Sequence, residues 1–267
     1  MSELVTIDVS SGVADVRLNR AEKYNALSPE MFSAIIAAGE TLAQAKDVRA
    51  VVLSGNGPGF CAGLDMTSMS GLGSGKSSGG GLLRREDDLP DNHAQRPSMV
   101  WRRVPVPVIC AIHGVAYGGG CQIALGADIR IASPDARISV MEIKWGLIPD
   151  MGITQSLRDL VPLDVAKELT FTGRVVSGTE AKELGLVTYV DGDPLARALA
   201  IAREIATKNP DAIRRDKALL EQSWRADPRT GLELEARLQT ELIGSSNQAE
   251  AVRANFEKRT PKFTDPA

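Results

Sequence analysis

The stretch that decides the fold runs from Val108 to Gln122 and reads VICAIHGVAYGGGCQ. Its first five residues are apolar and mostly β-branched. A short run of this kind, bounded by proline and glycine, predicts a strand that is covered on both faces. Three glycines, Gly118–Gly120, then open a pattern that predicts a helix from Cys121. Such a junction is typical of an α/β protein, and it leaves the first N–H groups of the helix open to an anion or a developing oxyanion.

A second glycine-bearing segment, Gly59–Asp65, reads GFCAGLD and follows another predicted strand, Val48–Leu53. This segment can supply a further backbone N–H from across a cleft. Two converging backbone donors form an oxyanion hole, and losing one such donor typically costs about 2.7–4 kcal/mol of transition-state stabilisation. Taken singly, each glycine segment is better explained by a turn or by close packing. The pair, together with the acidic residues downstream, indicates a site.

The remaining pattern predicts an α/β order that ends in helices. Alternating residues at 5–9 and 13–18 predict an antiparallel hairpin, and Ser28 followed by Pro29 predicts a helix that runs to Ala45. Asp128–Ala132 is a further candidate strand. Residues 67–97 begin as a Gly/Ser-rich run and predict a flexible surface insertion. Helices are predicted over Asp164–Phe171, Ser177–Leu184, Ala196–Thr207, Asp211–Ser223, Leu232–Ile243 and Ser246–Lys258.

Composition excludes several classes of protein. The 267 residues carry a formal net charge of −3, so the summed field does not favour nucleic acid as a partner. Three cysteines without a Cys-x-x-Cys pair predict neither disulfides nor a zinc site, and no metal-ligand spacing is visible. Prolines and glycines interrupt the uncharged stretch 104–127, so we expect no membrane span. The acidic, alternating N-terminus does not resemble a signal peptide, and we expect a cytoplasmic protein.

The candidate acid–base residues follow the glycine segments. Residues 139–152 read SVMEIKWGLIPDMG and carry two carboxylates, Glu142 and Asp150. Glu142 is the stronger candidate for proton transfer. Asp150 has a second explanation, since it could equally cap a helix that begins near Met151. Gln122 could orient a water molecule or a carbonyl group, or it could satisfy buried backbone.

Several ordered motifs resemble the crotonase superfamily, the enoyl-CoA hydratase/isomerase family. These motifs cover nearly the whole chain and read LNR at 18–20, NAL at 25–27, FCAGLD at 60–65, GGGC at 118–121 and FEKR at 256–259. The resemblance implies an α/β fold, a superhelix of repeated ββα units in residues 1–195. It also implies a helical oligomerisation region, residues 196–267, that builds a homotrimer or a dimer of trimers. A coenzyme A thioester is then the substrate, and no separate cofactor is implied.

The same resemblance implies roles for particular residues. The N–H groups of Leu64 and Gly119 would hold the thioester carbonyl. Lys258, contributed by a neighbouring subunit, would meet a phosphate of coenzyme A. The adenine and pantetheine path would be lined by Lys23, Asn25, Ala26, Leu27 and Ala62.

One departure from the family pattern bears on the reaction. Hydratases of this family have two glutamates, at the positions of Gln122 and Glu142, and an amide cannot exchange a proton at neutral pH. A single carboxylate is nevertheless enough to move a double bond, because it can remove a proton at one carbon and return it at another. Asp150 matches a second acid of dienoyl-CoA isomerases. We therefore favour isomerisation of an enoyl- or dienoyl-CoA, with hydration of 2-enoyl-CoA and non-catalytic acyl-CoA binding as the alternatives.

Overall fold

The computed structural model describes residues 3–65, 83, 85 and 88–266. Most of the predicted insertion, residues 67–97, lies outside these ranges. Its described end contains Asp91, whose side chain is 3% exposed and forms ion pairs with Arg103 at 2.9 Å and Arg96 at 3.4 Å. This end of the segment is therefore anchored to the helix that follows it.

Nine strands form two sheets in the described ranges. The larger sheet has the order β1-β2-β3-β4-β6-β9, and the smaller one has the order β5-β7-β8. The first two strands pair antiparallel around a turn in which Ser11 and Gly12 both have positive φ, while the rest of the larger sheet is parallel. The strands are β1 (Val5–Ser10), β2 (Val13–Leu18), β3 (Ala50–Gly55), β4 (Val108–Ile112), β5 (Val115–Tyr117), β6 (Ile129–Ala132), β7 (Arg137–Ser139), β8 (Val176–Ser177) and β9 (Tyr189–Val190).

Ten α-helices accompany the strands of the described chain, and none of them is both long and apolar enough to cross a membrane. Short 3₁₀ turns lie at Ala21–Lys23, Glu142–Trp145 and Leu157–Asp159. The helices are α1 (Pro29–Gln44), α2 (Arg96–Arg103), α3 (Gly119–Leu125), α4 (Ile153–Ser156), α5 (Leu163–Thr172), α6 (Gly178–Leu184), α7 (Pro194–Ala206), α8 (Pro210–Ser223), α9 (Pro228–Leu242) and α10 (Ser246–Phe256).

Local capping explains where several helices begin. The hydroxyls of Ser28, Ser177 and Ser245 each accept a hydrogen bond from a backbone N–H in the first turn of α1, α6 and α10, as the sequence predicts. The predicted start of α9 at Leu232 is wrong. The Asp227 carboxylate caps that helix and Pro228 is its first residue.

A repeated unit of two strands and a helix organises the core. Each of β4 and β6 joins the larger sheet, the next strand joins the smaller sheet, and a helix or helical turn follows. This arrangement is the predicted superhelix of ββα units. Strand β4 is buried throughout, because one face of the larger sheet packs on the main core and the other on small residues of α7.

The parallel strands β3 and β4 point the same way, so their carboxyl ends meet at one edge of the sheet. Residues Gly59–Asp65 follow β3 after a short loop, and Gly118–Gly120 follow β5, the short strand after β4. Ligands of open α/β sheets bind at such an edge, and the predicted site lies there.

Candidate active site

The two glycine segments lie side by side, as the sequence suggests. Cys61 forms a parallel bridge with Ala116, with its N–H donating to the Val115 carbonyl and its carbonyl accepting from the Tyr117 N–H, both at 3.0 Å. A Cβ atom at Gly120 would lie 2.4 Å from the Cys61 carbonyl oxygen. Glycine at this position is therefore a condition for the two segments to touch.

The amides of Leu64 and Gly119 are both open. Leu27 donates its N–H to the Gly63 carbonyl at 2.8 Å and accepts from the Asp65 N–H at 3.0 Å, so the intervening Leu64 N–H points away from Leu27. Gly119 is the first residue of α3 and has no partner within the helix. No backbone acceptor in the described ranges takes either N–H.

The backbone segments that carry the Leu64 and Gly119 amides lie next to each other. A Cβ atom added to Gly63 would lie 3.6 Å from the Gly119 nitrogen and 2.6 Å from the Tyr117 carbonyl oxygen. The chain on either side of the predicted oxyanion hole is thus in direct contact. The convergence of the Leu64 and Gly119 N–H groups on one ligand oxygen stays a prediction, which this contact favours.

Glu142 lies beside the glycine segment and is not turned into bulk water. It is half-buried and begins the 3₁₀ turn after β7. Its Oε1 accepts a hydrogen bond from Gln122 Nε2 at 2.6 Å. Its Oε2 is buried and has no hydrogen-bond partner in the part of the chain that the structure describes. A buried carboxylate oxygen without a partner is uncommon, and it is available for proton transfer.

The surroundings of Glu142 favour its protonated form. Burial raises the pKa of its carboxyl above the ordinary value of 4.5, and the charge of Asp150 raises it further. Hydrogen bonds from the backbone and from Gln122 act in the opposite direction. A carboxyl group whose pKa is moved towards neutrality is suited to act as both acid and base.

Gln122 connects Glu142 to the following loop. Its side chain is fully buried on α3, and its Oε1 accepts the Met151 N–H at 2.8 Å while its Nε2 binds Glu142. The Met151 donor fixes which end of the amide is oxygen. Of the two roles considered for Gln122, the structure shows the contact with buried backbone. The same amide also binds the Glu142 carboxylate, which the sequence analysis did not consider.

Asp150 does not cap a helix. The next helix, α4, begins at Ile153, and its cap residue is Gly152, which offers no side chain. Asp150 is exposed, yet partial burial raises the pKa of its carboxyl. Its charge also contributes to the raised pKa of Glu142, so the two carboxylates are electrostatically coupled.

Asn25 has a different place from the one that the family resemblance implies. Its side chain is 0% exposed. Its Oδ1 accepts the Arg20 N–H at 2.8 Å, and its Nδ2 donates to three carbonyls in the loop after β3. Because its polar atoms are all engaged, the Asn25 side chain connects loops and offers no free hydrogen-bonding group to coenzyme A.

The other predicted coenzyme A residues divide into three groups. Lys23 is exposed, and Ala26 and Ala62 are half-buried. We call the surface formed by these three residues the rim. Leu27 is buried against Gly119, since a Cβ atom added to Gly119 would lie 2.8 Å from Leu27 Cδ1. Lys258 is exposed after α10, and no hydrogen bond or ion pair within the described ranges joins it to this rim.

Two features of the site escaped the sequence analysis. Met151 reaches the glycine segment, since its Sδ would lie 2.7 Å from a Cβ atom at Gly119. Exposed apolar side chains follow Glu142 directly, although a soluble surface seldom groups them: Ile143, Trp145, Leu147 and Ile148. The apolar run was visible in the sequence, but its exposure was not.

A thiol nucleophile is not part of this arrangement. Cys61, Cys110 and Cys121 are buried, and burial raises the pKa of Cys61 to about 12. A thiol with so high a pKa is not ionised at neutral pH. Within the described ranges, no three His, Cys, Asp or Glu side chains are grouped so as to hold a metal ion.

Comparisons with known proteins agree with this fold. The chain is 34% identical over 266 residues to a peroxisomal Δ(3,5)-Δ(2,4)-dienoyl-CoA isomerase of Arabidopsis thaliana, covering 98% of this chain and 96% of the relative. It is also 34% identical over 259 residues to the mitochondrial methylglutaconyl-CoA hydratase of Mus musculus, covering 94% and 79%. The crystal structure of an enoyl-CoA hydratase from Bacillus anthracis superposes with a TM-score of 0.87 at 31% identity, covering 97% and 98% of the two chains.

The sequence profile of the enoyl-CoA hydratase/isomerase family matches residues 8–266. This match and the relatives both span almost the whole chain, and the repeated ββα units agree with them. The protein belongs to the enoyl-CoA hydratase/isomerase family of the crotonase superfamily.

Proposed function

We propose that this member of the family is an isomerase that moves a double bond in an enoyl- or dienoyl-CoA thioester. Glu142 is the acid and base, and the N–H groups of Leu64 and Gly119 form the oxyanion hole. The observation that carries the proposal is the buried Oε2 of Glu142, which has no hydrogen-bond partner among the described residues, beside a Gln122 that cannot exchange protons.

The reaction follows from where charge develops. Glu142 Oε2 removes a proton from the carbon next to the thioester carbonyl of a 3-enoyl substrate. The C–H electron pair forms a dienolate whose negative charge rests on the thioester oxygen, where two backbone donors stabilise it. Glu142 then returns the proton to the far end of the dienolate, which gives the 2-enoyl thioester. No other reactant is consumed.

Gln122 favours isomerisation over hydration. Water addition by the family's two-glutamate mechanism needs a second group that gives or takes a proton, and proton transfer by one positioned group typically contributes 10²–10⁴-fold. The Gln122 amide is committed to Glu142 and to the Met151 N–H. Gln122 therefore positions the Glu142 carboxylate but transfers no proton itself.

Asp150 extends the proposal to dienoyl substrates. It is eight residues beyond Glu142 and matches the second acid of dienoyl-CoA isomerases, and one relative carries that name. Burial raises the pKa of both carboxyls, and two acids in one site can divide the removal and return of a proton. Asp150 would then protonate the more distant carbon of the longer conjugated system.

Hydration is the second candidate. A methylglutaconyl-CoA hydratase is as similar to this chain as the dienoyl-CoA isomerase is. Asp150 also supplies a second carboxylate near Glu142 that could assist a water molecule. In this case Glu142 activates the water and Gln122 orients it only indirectly.

The surfaces proposed to bind the coenzyme A portion and the acyl chain suit either reaction. Lys23, Ala26 and Ala62 offer exposed or half-buried surface near the oxyanion hole for the coenzyme A portion. Trp145 and its apolar neighbours beside Glu142 suit an acyl chain. Lys258 remains a candidate phosphate contact that would come from another subunit.

A panel of thioesters tests the reaction type. The purified protein would be incubated with 2-enoyl, 3-enoyl and 3,5-dienoyl-CoA, and the products identified by mass spectrometry and ultraviolet absorbance. We expect turnover of the 3-enoyl or 3,5-dienoyl substrate without addition of water. A 3-hydroxyacyl product from 2-enoyl-CoA at a higher rate would establish hydration. If all three thioesters bind and none is converted, the protein is a non-catalytic acyl-CoA-binding protein.

A further inference from the structure

A cavity of about 370 Å³ opens at the carboxyl end of α3, next to β6, α8 and the turn after α4. Its wall includes Leu125, Gly126 and Ala127, whereas the amide of the candidate oxyanion hole is at the other end of α3, about 9 Å away along the helix. The cavity is therefore separate from the candidate active site. Four arginines line it: Arg102, Arg130, Arg158 and Arg225.

The three carboxylates in the cavity wall are each engaged by a cation. Asp128 binds Lys217 at 2.7 Å. Glu221 binds Arg102 at 2.6 Å. Asp159 pairs with Arg225. These ion pairs leave two guanidinium groups, those of Arg130 and Arg158, without a closely bound carboxylate.

Arg130 is the more unusual of the two. The residue is 4% exposed. Its Nε donates to the Leu186 carbonyl at 2.9 Å and its Nη1 to the Ala127 carbonyl, while Nη2 has no hydrogen bond within the described chain. No described carboxylate lies within ion-pair distance of it, and burial lowers its pKa. The charge of Asp128 acts on Arg130, but that carboxylate already binds Lys217. Burying a cation is costly, and a bound anion would offset part of that cost.

Arg158 adds a second, accessible donor group. It approaches the Asp159 carboxylate only to 3.9 Å, and 45% of its side chain is exposed. Beside it, Trp224 is 71% exposed and lines the same cavity. The opening thus combines an exposed guanidinium, held only by a long ion pair, with an indole whose fluorescence can report on binding.

We infer that this cavity is a binding site for a small oxyanion of phosphate or carboxylate chemistry, held by Arg130 Nη2 and the Arg158 guanidinium. The planar guanidinium fork matches both groups, and its hydrogen bonds to an anion are short and strong. The inference does not depend on the proposed reaction.

The test uses the full-length protein and inorganic phosphate as the probe. Binding would be followed by equilibrium dialysis and by Trp224 fluorescence, at constant ionic strength set with chloride. We expect one saturable site per chain, a fluorescence change that disappears in Trp224→Phe, and an affinity about tenfold lower in Arg158→Gln. The matched control, Arg237→Gln on an exposed face of α9, should bind like the wild type.

Two further arms make the result decisive. Arg130→Gln should abolish binding. If that variant does not fold, Arg158→Gln carries the test alone, since its side chain is exposed. Competition with acetate separates the two chemistries, because displacement of phosphate supports a general oxyanion site and its absence supports phosphate alone. The inference is overturned if neither anion binds saturably, or if Arg158→Gln and Arg237→Gln bind phosphate with equal affinity.

Discussion

Among single residues, Gln122 has the largest influence on the proposed chemistry. Its amide donates to one oxygen of Glu142 at 2.6 Å, while the other oxygen has no hydrogen-bond partner in the described ranges. A glutamate in its place would put two carboxyl groups in contact, and two such groups cannot both ionise. The choice of residue at this position therefore sets the number of groups that can exchange protons.

We expect Gln122→Glu to gain hydration activity. The new carboxyl would share a proton with Glu142 and provide the second group that water addition needs, so the rate of 3-hydroxyacyl formation from 2-enoyl-CoA should rise by about 10²-fold or more. Product analysis by mass spectrometry measures this rate. Gln239→Glu, on the exposed face of α9, is the matched control. Equal hydration by the wild type and both variants would contradict the role given to Gln122.

The pH dependence of isomerisation reports on Glu142. The base must be ionised to remove a proton, so kcat/KM should rise with pH through a pKa above 4.5, because burial raises the pKa of this carboxyl. The hydrogen bond from Gln122 lowers that pKa. Gln122→Met removes the bond, and the rise should then move to higher pH. A rise centred at the ordinary glutamate pKa in both proteins would argue against a buried base.

At the scale of elements, the packing of α3 against the loop after β3 forms the candidate oxyanion hole. A Cβ atom at Gly120 would lie 2.4 Å from the Cys61 carbonyl oxygen and 2.7 Å from Cys61 Cβ. Since backbone cannot swing aside, a side chain there must push the two segments apart. The separation would displace the Gly119 amide from its position opposite Leu64.

Gly120→Ala is therefore expected to lose activity and about 1–3 kcal/mol of unfolding free energy. Urea denaturation and turnover of 3-enoyl-CoA measure the two effects. Gly231→Ala is the control, because it also lies in a helix but its added Cβ would meet its nearest neighbour at an ordinary 3.7 Å. That variant should keep full activity and be equally or more stable, by up to about 1 kcal/mol. Similar behaviour of both variants would show that close packing at Gly120 is unimportant.

The sequence predicts long or well-capped elements better than short ones. The β1–β2 hairpin, β4 and the starts of α1, α6 and α10 follow from alternation and capping. Strands β5, β7 and β8 have two or three residues each, too few for a periodic pattern to appear. The start of α9 is signalled by Asp227 and Pro228, a pattern the sequence analysis overlooked.

The same distinction applies to the site. The glycine segments and Glu142 are recognisable in the sequence, because their local motifs carry the chemistry. The side-chain hydrogen bonds of Gln122 reach residues 20 and 29 positions away, and those from the Asn25 side-chain nitrogen reach residues 31 to 35 positions away. Spacing along the chain does not reveal such contacts. For this reason Asn25, whose buried side chain connects loops, was predicted to line the coenzyme A path.

At the scale of the whole molecule, the C-terminal helices leave large apolar side chains uncovered. Leu232, Ile243 and Phe256 are 63%, 66% and 85% exposed, and Phe171 on α5 is 69% exposed. Large apolar side chains with this degree of exposure favour a protein–protein contact. The division into residues 1–195 and an oligomerisation region 196–267 remains a prediction that this surface favours.

The mass of the protein in solution tests that prediction. We expect light scattering coupled to gel filtration to give three or six times the chain mass of 28.5 kDa, because the exposed apolar helices need a partner surface. The mass should stay constant on dilution through the micromolar range. A stable species of 28.5 kDa would contradict the predicted trimer or dimer of trimers.

Proton exchange next to the thioester tests the central claim most directly. The protein would be incubated with a saturated acyl-CoA in D₂O and the thioester analysed by mass spectrometry, with Glu142→Gln, an isosteric change, compared in parallel. We predict that the wild type incorporates deuterium at the α-carbon and that Glu142→Gln exchanges at least about 10²-fold more slowly while binding the thioester with similar affinity. Equal exchange in the two proteins, or none in the wild type, would contradict proton transfer by Glu142 to an enolate held at the Leu64 and Gly119 amides.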